Sequence, residues 1–281
     1  MMKHLLTCIA LGFAATGSAV TPLWLRDVQI SPSGDEIAFC YKGDIYKVPV
    51  GGGEARQLTT TSSYESTPIW SPDGKMIAFA SDRNGNLDLY VMPADGGTAK
   101  RLTYNSASEI PSAFTPDGKE VLFSASLQDP ASSALFPSGA MTELYAVPVA
   151  GGRVRQVLGT PAEMVNFDKS GKRFLYQDRK GVEDEWRKHH TSSVTRDIWM
   201  YDATTGKHTN LTDRPGEDRN AVFAPDGQTV YFLSERDTKS INVYSFPVNT
   251  PQSVKAVTSF KTHPVRFLSQ ANNQTLCYTY D

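Results

Sequence analysis

The densest group of chemically active side chains lies at residues 183–190, which read EDEWRKHH. A metal site could use His189 and His190, but adjacent histidines in an extended segment point in opposite directions, which disfavours chelation by both. A second interpretation is a contact surface for peptide or for a neighbouring domain, with Trp186 as its anchor and Arg187 as a carboxylate partner. A third is a structural loop held by buried ion pairs. We predict no metal site here and name these contact residues: Glu185, Trp186, Arg187, Lys188, His189 and His190.

Catalytic motifs are missing from the remainder of the sequence. It contains no G-x-S-x-G, no Walker-type phosphate loop, no H-E-x-x-H and no C-x-x-C. The recurring Asp73, Asp117 and Asp226 each precede a glycine and are interpreted as turn-forming residues, because each has backbone donors of its own nearby. We therefore predict no catalytic residues and no cofactor in this chain.

The first nineteen residues differ from the rest and have the pattern of a secretory signal peptide. Lys3 precedes an apolar run at residues 5–15, and small residues follow at 17–19. This predicts export by a bacterial Sec-type route to the periplasm or beyond. No later segment approaches the roughly 20 apolar residues that a spanning helix needs. The formal net charge of -2 gives no reason to expect nucleic acid as a partner.

A turn element is repeated along residues 20–281 and predicts how the chain is organised. It occurs as SPSG, SPDG, TPDG, DKSG and APDG at residues 31–34, 71–74, 115–118, 168–171 and 224–227, with a degraded copy near 270–273. Each turn is followed by a short apolar run, then by an acidic or amide residue with an aromatic residue two positions later, and often by Leu-Thr. Such a unit contains four short strands, and repetition at forty or more residues is typical of a β-propeller. The predicted fold class is an all-β propeller of four-stranded blades.

Spacing between the repeats predicts the blades and their insertions. Blades 3 and 4 carry extra residues at 125–142 and 178–196, while the final unit matches only the first two strands of a blade. We expect five blades and the first half of a sixth, of a six-bladed type, in the front part of a longer protein. The innermost strand should be the one before each turn, which places residues 266–268 beside residues 24–28.

Two cysteines, Cys40 and Cys277, remain after the leader, and both lie within apolar strand patterns. Cysteine in such a position usually acts as a small hydrophobic residue. A disulfide stays open as an alternative because the first and last repeats should be neighbours in space.

The repeats resemble those of TolB-like propellers, and three segments resemble a narrower family. Residues 21–26 (TPLWLR), 183–199 (EDEWRKHHTSSVTRDIW) and 263–267 (HPVRF) are similar to the N-terminal six-bladed propeller of secreted bacterial tricorn-like peptidases. The resemblance implies a non-catalytic propeller that guides or filters peptides toward a serine peptidase domain further along the chain. Its expected partners are those downstream domains and a peptide or protein substrate, without nucleic acid and without a membrane span.

Two alternatives to this resemblance remain. One is a free-standing TolB-like propeller that binds a protein in the cell envelope. The other is the propeller of a prolyl-oligopeptidase-type enzyme, which would be followed by an α/β-hydrolase domain. The sequence that follows the propeller distinguishes all three.

Overall fold

The computed structural model describes residues 24–127, 141–182, 186, 192–236 and 240–280, and every regular element in those ranges is a β-strand. The strands form five four-stranded antiparallel sheets and one two-stranded sheet. Five blades are therefore complete, rather than six, and the sixth sheet consists of two strands. In the described part of the chain, no helix is long and apolar enough to cross a bilayer.

Within each sheet the strands are ordered along the chain. Blade 1 contains β1 (Arg26–Ile30), β2 (Glu36–Tyr41), β3 (Asp44–Pro49) and β4 (Arg56–Gln57). Blade 2 contains β5 (Glu65–Trp70), β6 (Met76–Ser81), β7 (Asp88–Pro93) and β8 (Lys100–Arg101). Blade 3 contains β9 (Ile110–Phe114), β10 (Glu120–Ala125), β11 (Glu143–Pro148) and β12 (Arg155–Leu158).

The second half of the ring repeats this order. Blade 4 contains β13 (Glu163–Phe167), β14 (Arg173–Gln177), β15 (Ile198–Asp202) and β16 (Lys207–Asn210). Blade 5 contains β17 (Asp218–Phe223), β18 (Thr229–Ser234), β19 (Asn242–Pro247) and β20 (Lys255–Ala256). The sixth sheet contains β21 (Val265–Gln270) and β22 (Leu276–Tyr280).

The first strand of each sheet lies innermost, and these six strands form a closed ring. β5, β9, β13 and β17 contact one another in chain order, and β21 contacts both β17 and β1. Because β21 carries residues 266–268 and β1 begins at Arg26, the predicted closure of the last repeat on the first is confirmed.

The repeated turn forms as its residue types predict. The glycine N–H donates to the carbonyl of the first turn residue in all five copies, for example from Gly74 to Ser71 at 2.9 Å. These glycines have φ between +67° and +83°, a region that side chains disfavour. Asp73 accepts hydrogen bonds from Ser71 and from the Lys75 N–H, and the first of these is the main reason that its pKa is lowered. The turn interpretation of Asp73 is therefore confirmed.

The Leu-Thr element fastens the outer strands. The Thr59 hydroxyl accepts the Ile45 N–H at 2.9 Å, and the same bond joins Thr103 to Leu89 and Thr212 to Ile198. The acidic residue that begins the third strand, such as Asp44, accepts the threonine proton. The structure of the blade therefore accounts for the spacing between the acidic residue and the Leu-Thr element.

Hydrophobic packing between the blades forms the core. Trp70 of blade 2 packs with Cys40 of blade 1, and Phe114 of blade 3 packs with Leu89 of blade 2. Cys40 and Cys277 are free thiols, and burial raises the pKa of both, that of Cys277 to about 11. Cys40 thus acts as a small core residue, as predicted.

Candidate functional site

The propeller has two faces that differ in what they carry. The turns between first and second strands lie on one face, which we call the turn face. The connections that lead into each inner strand, and the described ends of those between second and third strands, lie on the other, which we call the loop face. The exposed aromatic residues Trp24, Tyr64, Tyr104 and Trp186 all belong to segments of the loop face. Clustered aromatic exposure of this kind is typical of a contact surface.

Trp186 is the predicted contact residue whose position the structure describes. Its side chain is 43% exposed. The guanidinium of Arg26 lies 4.0 Å from the centroid of its ring, and that of Arg266 lies 5.0 Å away. Arg266 Nη2 also donates to the Trp186 carbonyl at 3.3 Å. We call Trp186, Arg26, Arg266, Phe267 and Trp24 the Trp186 cluster. The other predicted contact residues lie outside the described residues: Glu185, Arg187, Lys188, His189 and His190.

The partners of Trp186 lie on the opposite side of the ring. Trp186 belongs to the insertion between β14 and β15 of blade 4, whereas Arg26 begins β1 and Arg266 lies in β21. The Trp186 ring is also 6.1 Å from that of Phe267, and Arg26 lies 5.6 Å from the Trp24 ring. Trp186 therefore contacts blade 1 and the sixth sheet at the loop face, although its segment of sequence joins two strands of blade 4.

Five of the inner strands share a backbone irregularity near their first residues. The inner strands change register next to Asp27, Thr67, Met164, Asn220 and Phe267, and all five have φ between +50° and +56°. Such a bulge bends the strand and redirects its side chains. Sequence reasoning missed these positions because their residue types share no property that marks a left-handed backbone.

Ion pairs hold the two ends of the blade 4 insertion, one of them buried and one partly exposed. The buried one is made by Arg196, which is 3% exposed and lies 3.2 Å from Glu217 and 3.7 Å from Glu163. The partly exposed one joins the two ends: Lys180 pairs with Asp197 at 2.6 Å, and Asp178 accepts the Asp197 N–H at 2.7 Å. These pairs lie outside residues 183–190, so the choice between a structural loop and a contact surface for that segment stays open; Trp186 is partly exposed.

A cavity of about 400 Å³ lies on the axis toward the turn face. Residues from all six inner strands line it, including Trp70, Phe114, Phe167, Phe223 and Gln270. Asp168 also lines it and is paired with Arg173 at 2.9 Å. Polar side chains such as Asn166, Asp168 and Gln270 share its walls with the aromatic rings, so the cavity offers both polar and apolar contacts. Among the described residues, no group of three or more His, Cys, Asp or Glu side chains is arranged to hold a metal ion.

Comparison with known proteins agrees with this architecture. Residues 22–281 match the family model of the tricorn protease N-terminal beta propeller domain. The crystal structure of the tricorn protease aligns with a TM-score of 0.74 and 22% identity, over 91% of this chain and 24% of that one. A putative TolB from Agrobacterium tumefaciens aligns with a TM-score of 0.72 and 16% identity, over 93% of this chain and 91% of that one.

Peptidases of another kind also share the fold. The acylaminoacyl peptidase of Pyrococcus horikoshii aligns with a TM-score of 0.57 and 16% identity, over 92% of this chain and 41% of that one. At these identities the structural likenesses show the fold alone. The chain spans about a quarter of the tricorn protease chain that it matches.

Proposed function

Since the chain belongs to the family of the tricorn protease N-terminal beta propeller domain, we propose that it is the non-catalytic propeller of a tricorn-like serine peptidase. In this role it guides or filters peptides toward a peptidase domain carried elsewhere in the parent chain. In the proposed parent, further strands complete the two-stranded sixth sheet to a full blade. The observation that carries the proposal is the family match, which covers residues 22–281.

The loop face supports a contact role within that function. The Trp186 cluster offers two exposed indole rings beside two guanidinium groups, and tryptophan and arginine are the residue types that contribute most to protein contacts. We assign peptide or domain contact to this cluster. We assign the same contact role to residues 183–190, which include and flank Trp186 in the sequence.

Export is part of the proposal. The pattern at residues 1–19 is that of a cleaved signal peptide, which would direct the parent protein to the periplasm or beyond. Fusion of residues 1–25 to a reporter that is active only after export tests this directly. A reporter that stays inactive would contradict the assignment.

The competing function is a free-standing TolB-like propeller that binds an envelope protein. A putative TolB chain aligns with this propeller over 91% of its own length, which motivates this alternative. Reading the coding sequence beyond codon 281 separates the two functions. A serine peptidase domain downstream is the result we expect, whereas a stop codon soon after residue 281 would replace our proposal with the TolB-like one.

The contact role is tested by Trp186→Ala in the full-length parent. We expect kcat/KM for an unstructured peptide to fall about tenfold, because truncating an anchoring aromatic residue costs more than 1 kcal/mol. Tyr64→Ala serves as the matched control, since Tyr64 is similarly exposed on the loop face but lies outside the cluster. Equal kcat/KM for both variants, with a lowered melting temperature for Trp186→Ala alone, would make the cluster a purely structural contact.

A further inference from the structure

The acidic residue before β9 has an environment unlike that of its counterparts. Glu109 N–H donates to the Leu87 carbonyl at 2.8 Å, just as Glu65 N–H donates to Gly43 and Asp218 N–H donates to Arg196. These three acids therefore hold equivalent places at the loop face, between one blade and the next. All three side chains are fully buried.

In blades 2 and 5 an arginine from the same blade pairs with this acid, although burial still raises the pKa of Asp218 to about 6. Arg83 Nη2 lies 2.5 Å from Glu65, and Arg236 Nη2 lies 3.0 Å from Asp218. Each guanidinium also lies over an aromatic pair, Phe79 with Tyr90 in blade 2. The arginine follows a serine by two positions, as in Ser81-Asp82-Arg83.

Blade 3 keeps the acid and the aromatic pair but lacks the arginine. The equivalent triplet is Ala125-Ser126-Leu127, and Leu127 packs against Phe123 and Tyr145 in the position of the guanidinium. Neither carboxylate oxygen of Glu109 makes a well-formed hydrogen bond among the described residues. The sequence of the following insertion, residues 128–140, contains no lysine, arginine or histidine that could replace the missing charge.

The charged groups facing Glu109 come from blade 2. Asp88 of β7 is fully buried, and Arg101 of β8 pairs with it at 2.8 Å. Ala125 at the end of β10 and Leu127 just after it contribute no charge. Burial raises the pKa of Glu109 to about 7. A weak interaction with the Thr103 hydroxyl and the positive charge of Arg101 lower this pKa, whereas the negative charge of Asp88 raises it. We call Glu109, Asp88, Arg101 and Thr103 the Glu109 cluster.

We propose that the Glu109 cluster makes the junction of blades 2 and 3 sensitive to protons: with Glu109 neutral the loop 103–109 is closed, and ionisation of Glu109 opens it. Arg101 lies near the carboxylates of both Asp88 and Glu109, and it is already paired with Asp88. An ionised Glu109 therefore needs either water or that arginine, and the buried position supplies neither.

The loop is connected to the arginine, so the effect extends to the surface. Arg101 Nε donates to the Thr103 carbonyl at 2.7 Å, and its guanidinium lies 4.6 Å from the ring of Tyr104. Tyr104 is 74% exposed on the loop face. Withdrawal of Arg101 toward Glu109 would release both contacts, and an exposed aromatic side chain of the loop face would move.

Hydrogen–deuterium exchange on the whole chain tests the proposal. After correction for the intrinsic effect of pH, we expect exchange of amides 103–110 to increase about tenfold between pH 6 and pH 8.5, since each pH unit above the pKa shifts a proton-linked equilibrium by up to tenfold. The equivalent loop of blade 2, residues 59–66, should show no such increase because Glu65 has Arg83. Unchanged corrected exchange of 103–110 would overturn the proposal.

Glu109→Gln is the decisive variant because it keeps the shape and removes the ionisation. Its loop should exchange equally slowly at both pH values, and Glu65→Gln should leave the pH dependence of 103–110 as in the wild type. A pH dependence that survives in Glu109→Gln would show that another group is responsible. Direct titration of the Glu109 carboxyl carbon by NMR gives a second measurement, and a midpoint below pH 5 would also overturn the proposal.

Discussion

Two neighbouring junctions, between blades 1 and 2 and between blades 2 and 3, pair their acids with arginine differently. At the first, Glu65 pairs with Arg83, while Asp44 accepts a hydrogen bond from the Gln57 amide at 3.0 Å. At the second, the arginine is on the other acid: Arg101, in the position of Gln57, pairs with Asp88. Leu127 takes the place in the sequence that Arg83 has in blade 2, so Glu109 has no such partner. Each junction thus has two acids and one arginine.

The acid left without an arginine carries the raised pKa at both junctions. Burial and the charge of Glu65 raise the pKa of Asp44, which is half-buried. Burial raises that of the fully buried Glu109 further, to about 7. The repeat therefore fixes where the acids lie in the ring. Two differences between the junctions, Gln57 against Arg101 and Arg83 against Leu127, decide which acid is paired with an arginine and how strongly the other resists ionisation.

The largest effect is expected from Arg83→Leu, which gives blade 2 the pairing of blade 3. It leaves Glu65 buried without a counter-charge, and we expect a loss of about 3 kcal/mol in the free energy of unfolding at pH 8, at the lower end for a broken buried pair because Arg83 is partly exposed. Urea unfolding at pH 8 measures this. A loss of no more than about 1 kcal/mol, the value of one ordinary hydrogen bond, would contradict a need for the arginine beside Glu65.

A somewhat smaller and opposite effect is expected from Glu109→Gln. A carboxyl whose pKa is raised in the folded state favours folding below its unfolded pKa, and this contribution is lost as pH increases through the folded value. For Glu109 the window runs from 4.5 to about 7. We expect the variant to be more stable than wild type by about 2 kcal/mol at pH 8 and nearly equal to it at pH 4.5. Thermal unfolding across this range provides the comparison, and a variant that is less stable at pH 8 would contradict our account of blade 3.

The smallest effect is expected from Ser81→Ala, which gives blade 2 the alanine that blade 3 has at residue 125. The Ser81 hydroxyl accepts a hydrogen bond from Arg83 Nε at 3.0 Å and donates a longer one to Glu65. Its removal should cost about 1 kcal/mol, the usual value for one buried hydrogen bond. Ala125→Ser in blade 3 is the matched control and should gain little, because no arginine is there to donate. Similar changes in both blades would show that the serine acts without the arginine.

Sequence reasoning reached most of the fold because its signals are local. The turn glycines, the strand alternation and the threonine of Leu-Thr each act within about fifteen residues, so their spacing alone predicts a four-stranded blade. The predicted contact residue Trp186 was found from composition, as an aromatic residue inside a charged insertion. Its partners Arg26 and Arg266 were not found, because they lie 160 and 80 residues away in the chain and adjoin it only when the ring closes.

The sequence by itself determined the repeated blade, the position of the insertions and the closure of the last repeat on the first. Only the tertiary structure decided which charges meet, because Asp88, Arg101 and Glu109 belong to different strands of adjacent blades. Asp88 and Glu109 have the same residue types as their counterparts Asp44 and Glu65, whereas the residues around them differ at Arg101, Ala125, Ser126 and Leu127. Ionisation depends on burial and on the nearest opposite charge, and both are properties of the assembled ring.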